Sequence, residues 1–433
     1  MPGCSDAAAG ATAAPSLPPA SSRPGYHALL RDRSFALFFA GYGISTLGTA
    51  IVPVALTFAL LGSGYSASAV GTVLAAQTAP MVLLMLAGGV VGDRWPRRRS
   101  MIAADLLRCA SQAVLASLLA LGHPSLPVLM ALAACCGIGT AFYGPAESGL
   151  IPQIAGAERI KQANSLCSLS GSLAAVVGPA LGGLLIGFGG ASVAIGLDAA
   201  SYAVSAACLS LMPIRPQAIP PRASLTTELQ LGWSEFKRYR WLQLVTLQQG
   251  VLNLLAFAPF FVLGPSLYAA IPGGAQTWSF IASATGVGGI TGGLLVLRVR
   301  LSRPLLGVQV AVALLATPLV MLALHAPVPL LVLGSGTFGT ALVFMNVLVQ
   351  TSLQESIPHE FLSRVSSIFS LVVMGLGPVG FALCGPVADL FGTERVLEVG
   401  AGAMLLSVPA LLLSRSVRRF VPSHSGEDLP PRR

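Results

Sequence analysis

Asp105 and Arg108 stand three residues apart inside the apolar run 100–121, and Glu147 directly follows another such run at 125–146. Charged side chains are costly in hydrocarbon, so those found there face protein or water and serve to carry a proton, to pair or to gate a pathway. Asp105 and Glu147 are therefore the two proton-coupling candidates. The i, i+3 spacing also lets Asp105 and Arg108 form a structural ion pair, which is the first reading of that couple. Glu147 follows Gly144-Pro145-Ala146 at a helix end and suits gating or capping as well as protonation. Asp198 and Asp389 fall toward the ends of their runs and read as caps or contacts.

Mostly neutral polar side chains recur at helical spacing in four runs: Tyr42, Ser45, Thr46 and Thr49; Cys136, Thr140, Tyr143 and Glu147; Thr246, Gln249, Gly250, Asn253 and Phe257; Gly339, Val343, Asn346 and Gln350. Each set falls on one helical face. Lipid cannot satisfy such a face, so each looks toward protein or a watery cavity. Singly, each of these groups could equally be a bond between helices. Together they describe a neutral, partly aromatic pocket, better suited to a bulky amphipathic ligand than to a phosphate or dicarboxylate.

Enzyme chemistry finds no support. The histidines His27, His123, His325, His359 and His424 are scattered, no cysteines form C-x-x-C, and no nucleophile or paired-carboxylate constellation appears. Neither lysine, Lys161 nor Lys237, follows a glycine, so there is no P-loop to bind ATP. No cofactor or metal is implied.

These residues need membrane helices to position them. Of 433 residues 54% are hydrophobic and only 9% charged, with a mean hydropathy of +0.78. A soluble domain carries about 25% charged residues. Runs long enough to cross hydrocarbon lie at 34–60, 67–91, 100–121, 125–146, 163–187 and 191–212, then at 241–268, 277–297, 304–324, 328–350, 364–388 and 395–414. The net charge of +9 is not a nucleic-acid footprint, because the arginines collect in alternate loops. Arg94, Arg97, Arg98 and Arg99 follow the second run, and Arg298, Arg300 and Arg303 the eighth, whereas the opposite loops hold only Arg395. By the positive-inside rule both termini are expected in the cytoplasm of a bacterial cell, with the chain crossing the inner membrane. Residues 1–27, rich in Ala, Pro and Ser, read as a disordered tail without a signal peptide, and 416–433 as a second tail.

The polar stretch 214–240 divides the runs into halves at 28–213 and 241–415, and Leu225 to Tyr239 reads as an amphipathic piece of that linker. The segment from Glu158 through Arg159 and Asn164 to Leu166 lines up with Glu360 through Arg364 and Ser366 to Ile368, an offset of 202 residues (360 less 158) that also pairs Gly178 with Gly380. Each half is therefore read as a copy of the other, the usual plan of a secondary transporter. The expected fold is an all-α integral membrane protein of twelve helices in two six-helix halves.

Gly89-Val90-Val91-Gly92-Asp93-Arg94-Trp95-Pro96-Arg97-Arg98 resembles the cytoplasmic signature of the major facilitator superfamily, G-x-x-x-D-[RK]-x-G-[RK]-[RK], with Pro96 in place of its glycine. Gly178-Pro179-Ala180-Leu181-Gly182-Gly183 resembles the G-P-x-x-G-G element of that superfamily's exporters. The loops starting at Leu150 and Gln354 look most like the branch of enterobactin exporters and macrolide efflux proteins. The resemblance implies gating roles for Gly89, Asp93, Arg94, Arg97, Arg98, Gly178, Pro179, Gly182 and Gly183. Gly286, Gly288, Gly289, Gly292 and Gly293 of the eighth run would be the packing partner of the fifth. It also places the first, fourth, seventh and tenth helices around a central cavity, which makes Tyr42, Thr46, Thr49, Thr140, Tyr143, Gln249, Asn253, Phe257, Asn346 and Gln350 substrate-binding candidates. The implied activity is alternating-access export of a small organic molecule against a proton gradient, by a monomer in the lipid bilayer. Two features of many proton-coupled exporters are missing: an acid in the first span, where Thr49 stands, and an arginine in the fourth, where Ala133 stands. Uptake or facilitated diffusion by the same fold, and a receptor that transports nothing, are the alternatives.

Overall fold

Backbone crossing hydrocarbon must bond its own N–H and C=O groups, and the apolar runs of this chain do so as helices. The computed structural model describes residues 26–94, 96–122, 124–213, 225–299 and 301–421, and no strand occurs among them. In chain order the first four membrane-length helices are α1 (Arg33–Gly62), α2 (Ala67–Arg94), α3 (Arg97–Leu121) and α4 (Leu126–Ala155). The helical stretch Ile160–Leu211 runs for 52 residues, but Gly190 inside it has φ 79° and ψ 169°, which no helix tolerates. It is two helices, α5 (160–189) and α6 (191–211). The second half comprises α7 (Arg240–Tyr268), α8 (Gly274–Arg298), α9 (Pro304–Ala323), α10 (Val328–Ser356), α11 (Glu360–Phe391) and α12 (Thr393–Leu412). Among the described residues eleven helical stretches are long and apolar enough to span a membrane, and the break at Gly190 divides one of them to make twelve helices. An even number returns the chain to one face, here called proximal, where α1 begins and α12 ends.

Local chemistry sets several helix ends. The Asp32 carboxylate accepts from the N–H groups of Ser34 at 2.9 Å and Phe35 at 3.1 Å, capping α1. The amphipathic stretch of the linker folds as helix Leu225–Phe236. It lies against the start of α11, where Phe236 joins Ile368 and Phe369 in the larger apolar core.

The 202-residue offset holds in three dimensions. Gly190 corresponds to Gly392, which has φ 91° and ψ 145° and precedes α12 as Gly190 precedes α6. Gly178 of α5 sits against Ala50 of α1, and Gly380 of α11 against Leu254 and Ala258 of α7. Gly137 of α4 meets the Gln77 carbonyl of α2, and Gly339 of α10 the Thr285 carbonyl of α8. Glycine at each crossing lets two backbones approach more closely than any side chain would allow.

Between the halves the contacts concentrate at the face opposite the termini, here called distal. Val262 and Leu263 of α7 and Cys384 and Ala388 of α11 are buried in a core of the first half, and Val54 of α1 in the core of the second. Gly71 of α2 lies against the Phe381 carbonyl, Gly385 against Ser68, and Gly183 of α5 against Ser279 of α8. The Ser68 hydroxyl donates to Asp389 across the same seam. One packing expectation is corrected. Of the α8 glycines only Gly286 backs onto α5, at Ala175, while Gly288 and Gly292 meet Gly336 and Thr340 of α10. They occupy a different face of the helix and bind their own half together.

The φ and ψ of Gly190 lie in a region open essentially to glycine alone, so a side chain there adds about 1–3 kcal/mol of strain. Gly190→Val is expected to melt below the native protein in detergent, by differential scanning fluorimetry. Gly402→Ala, at a helical site with open space around it, is expected to melt with the native protein.

Candidate functional site

Helix α7 contains a single π-turn, Asn253–Phe257. Its cause is local: Pro259 has no N–H to offer the Leu255 carbonyl, so regular i to i−4 bonding fails there. Gly400 of α12 packs against that same carbonyl and Gly380 of α11 against the carbonyl of Leu254. Such turns reorient side chains and recur at functional sites. Here Asn253 and Phe257 point into a cavity of about 190 Å³, which Gln249, Leu252, Leu342, Met345, Asn346 and Val373 complete. The Asn253 amide donates to the Gln249 carbonyl at 3.1 Å, and the Phe257 ring leans on Phe338 at 5.3 Å. The Gln249 side-chain nitrogen is buried with no partner among the described residues. Three amides and an apolar wall offer hydrogen bonds without charge. Four of the residues expected to meet substrate thus line one cavity.

The first half holds charge instead. Asp105 and Arg108 of α3 form a buried ion pair. The guanidinium lies between two aromatic rings, 4.3 Å from the centroid of Tyr143 on α4 and 4.3 Å from that of Tyr202 on α6. Gly139 of α4 makes room, since a Cβ there would stand 2.6 Å from Arg108 Cγ. The Tyr202 hydroxyl is 2.9 Å from that of Thr49 on α1. One turn beyond Arg108, the Gln112 amide donates to Asp198 of α6 at 2.8 Å. Asp105 Oδ2, Arg108 Nε and Asp198 Oδ1 are buried without hydrogen-bond partners among the described residues.

Two expectations change here. Asp198 is not an end cap: it is 0% exposed and belongs to this network. Tyr143 is 7% exposed beneath Arg108, so in this conformation it presents almost no surface to a ligand. The corresponding helices of the second half, α7, α9 and α12, carry a neutral arrangement. Gln248 and Gln309 exchange amide bonds of 2.9 and 3.1 Å, and Gln248 also donates to Ser407 at 2.8 Å. By the 202-residue offset Ser407 stands where Ser205 does, and Gly400 where Asp198 does.

The other expected residues are dispersed. Tyr42 stacks on Phe38 at 5.7 Å, and Thr46 is half-buried one turn along. Thr140 donates to the Cys136 carbonyl of its own helix at 3.0 Å. Gln350 is exposed one turn beyond Asn346, outside the cavity lining. Glu147 is half-buried, within electrostatic reach of Arg108, Tyr42 and Cys167. Gly89, Asp93 and Arg94 belong to the last turns of α2, and the side chains of 85–94 lie outside the described residues. Arg97 donates to the Gly149 carbonyl, and Arg98 to Met212 at 2.7 Å and Ser210 at 3.1 Å. Both therefore tie α3 to its own half. Gly178 and Gly182 seat α5 on α1 while Gly183 seats it on α8, so the G-P-x-x-G-G element occupies the joint between halves. Sequence reasoning missed Gln112, Asp198 and Tyr202. Their signal was the placement of Gln112 on the Asp105–Arg108 face and the i, i+4 spacing of Asp198 and Tyr202.

The family model described as transmembrane secretion effector, of the major facilitator class, matches residues 25–430. The multidrug efflux pump Tap of Mycolicibacterium fortuitum is 27% identical over 359 residues, 79% of this chain and 86% of that one. The enterobactin exporter EntS of Shigella boydii is 26% identical over 78% of this chain and 82% of its own, and macrolide efflux protein A of Streptococcus pyogenes 25% over 83% and 91%. Among solved structures, the nucleoside transporter NupG superposes with a TM-score of 0.71 at 14% identity, covering 88% of this chain and 98% of its own. An inward-facing, occupied bacterial homolog of the human lysosomal transporter Spinster gives 0.67 at 15%, covering 92% and 98%. Fold, helix count and sequence agree: the chain belongs to the transmembrane secretion effector family of the major facilitator superfamily.

Proposed function

We propose that this membrane transporter exports a bulky, largely neutral organic molecule by alternating access, with protons moving the opposite way. The observation that carries the reading is the cavity at the π-turn. Its Gln249, Asn253 and Asn346 amides beside Phe257, Leu342 and Met345 suit an amphipathic molecule with scattered oxygens and no strong charge. It sits on the proximal side of a seam closed distally, and Asn346 and Gln350 are exposed on the proximal half of α10. The clustering of arginines at proximal loops supports a cytoplasmic location for that face and for both termini. The cavity then loads from the cytoplasm, and rocking of the halves releases its contents outside. Relatives named for drug, enterobactin and macrolide export support both the direction and the size of the cargo.

Cells expressing the chain are expected to accumulate less of a labelled macrolide or siderophore than control cells, and a protonophore is expected to abolish the difference. Asp93→Asn should remove it as well. Higher accumulation in expressing cells would instead establish uptake. Losing one hydrogen bond to a ligand costs about 0.5–1.5 kcal/mol, up to about tenfold in affinity. Asn253→Leu and Asn346→Leu are therefore each expected to raise the half-saturating substrate concentration by about three- to tenfold in vesicle transport assays, with little change in the amount of folded protein.

A further inference from the structure

Asp198 is a carboxylate that the ion pair of the first half does not satisfy. It is 0% exposed, and Oδ2 takes one bond from the neutral Gln112 amide while Oδ1 has none among the described residues, the neighbouring Ser201 hydroxyl donating to the Asp198 backbone carbonyl instead. Among the described residues it makes no ion pair. From α3, Asp105, Arg108 and Cys109 are the ionisable groups in its surroundings; Cys136 and Tyr143 belong to α4 and Tyr202 to α6 itself. Arg108, the sole cation of this set, is committed to Asp105 and to two tyrosine rings. Helix α1 presents Gly48, where a Cβ would fall 2.9 Å from Asp198 Oδ1. An ionised carboxylate sealed in this way would lack compensation for its lost hydration, whereas the protonated acid is neutral and keeps its bond from Gln112.

We propose that Asp198 carries the coupling proton, with Gln112 holding the acid and Arg108 balancing the carboxylate once the proton leaves; this rests on the proton-antiport reading above. The site lies about 12 Å along α6 from Gly190, at about 1.5 Å per residue, so it is closer to the distal end of its helix. When the seam opens distally, a hydronium ion there gives up its proton: its O–H bond breaks, an O–H bond forms on Asp198 and neutral water leaves. When cargo enters from the proximal side, α1 shifts and Gly48 and Thr49 move with it. The O–H bond then breaks, the proton leaves in water to the proximal side, and the carboxylate remains near Arg108. One proton crosses inward in each cycle, with no redox change. Asp105 does not fill this role because its carboxylate is already paired with Arg108. Glu147 does not because it is half-buried rather than sealed, about two turns inside the proximal end of α4. The second half has no carboxylate at the matching site, only Gly400 and the neutral Gln248–Gln309–Ser407 set, so proton handling belongs to one half alone.

Infrared spectroscopy of the purified full chain, titrated with acid and base alone, reports buried carboxylic acids by their C=O stretch above the amide bands. The native protein is expected to show a pH-sensitive band that Asp198→Asn removes and that Asp105→Asn and Glu147→Gln retain. A band that survives Asp198→Asn, or that vanishes with Asp105→Asn instead, overturns the assignment. Asparagine can still accept from Gln112, so this variant keeps the packing, and Asp198→Glu should restore a carboxylic band. In proteoliposomes with labelled erythromycin, Asp198→Asn is expected to lower the ratio of pH-gradient-driven transport to simple exchange at least tenfold. Native protein that moves erythromycin without responding to a pH gradient overturns proton antiport itself. A native response that Asp198→Asn leaves intact overturns only the role given to Asp198.

Discussion

The arrangement of the first half depends on how a guanidinium is kept inside a membrane. Arg108 has one carboxylate and two ring faces for company, each ring contributing about 0.5–2 kcal/mol when water is excluded. Supplying these partners fixes four helices at once. Helix α3 brings Asp105, α4 brings Tyr143 and withdraws its backbone at Gly139, α6 brings Tyr202, and α1 holds the Tyr202 hydroxyl through Thr49. Loss of Arg108 would leave Asp105 uncompensated, a defect of about 3–5 kcal/mol for a buried pair. The network therefore constrains packing as strongly as any apolar core, while its neighbour Asp198 stays outside that balance.

The second half solves the same packing problem without charge. A reciprocal glutamine pair and a serine join α7, α9 and α12, and Gly400 takes the place of Asp198. What this half gains is an irregular α7, whose π-turn opens a cavity beside Asn253 and Phe257. Duplicated halves have thus diverged, one toward a buried charge network and the other toward a pocket of amides. In the export reading, energy input and cargo occupy different bodies, and coupling runs through the seam that joins them.

Much of this was legible in the sequence because hydrophobic runs and glycine spacing are one-dimensional signals. The gap between the runs 163–187 and 191–212 marked the break at Gly190, and the offset that paired Gly178 with Gly380 also pairs Gly190 with Gly392. Lateral relations were not legible. Asp198 lies near a helix end along the chain, and nothing in its neighbours reveals that Gly48 and Gln112 enclose it. Tyr143 shares a helical face with Thr140, yet a cation from another helix covers it. Pro259 removes one regular bond of α7, but a proline in the sequence does not specify a π-turn. The α8 glycines looked like one surface, but Gly286 and Gly288 lie about 200° apart around the helix, at about 100° per residue, and they meet different neighbours.

The nature of the seam bears on how readily the halves could separate. Lipid chains are as apolar as leucine, so no hydrophobic drive holds two membrane surfaces together, and close packing and hydrogen bonds must do it. Within each half, paired glycines, buried amides and the Arg108 network supply both. Across the distal seam, the close approaches involve Gly71, Gly183 and Gly385, and Ser68 to Asp389 supplies a hydrogen bond. Small residues fit closely but interlock little, and the larger side chains that cross the seam, Val54, Val262 and Leu263, are aliphatic and leave no polar group unpaired when they part. The Asp389 carboxylate is exposed, and water can replace its serine partner as the seam opens. In the alternating-access reading each half would then move as a unit, because the contacts that must break are fewer and more easily replaced than those that define the halves.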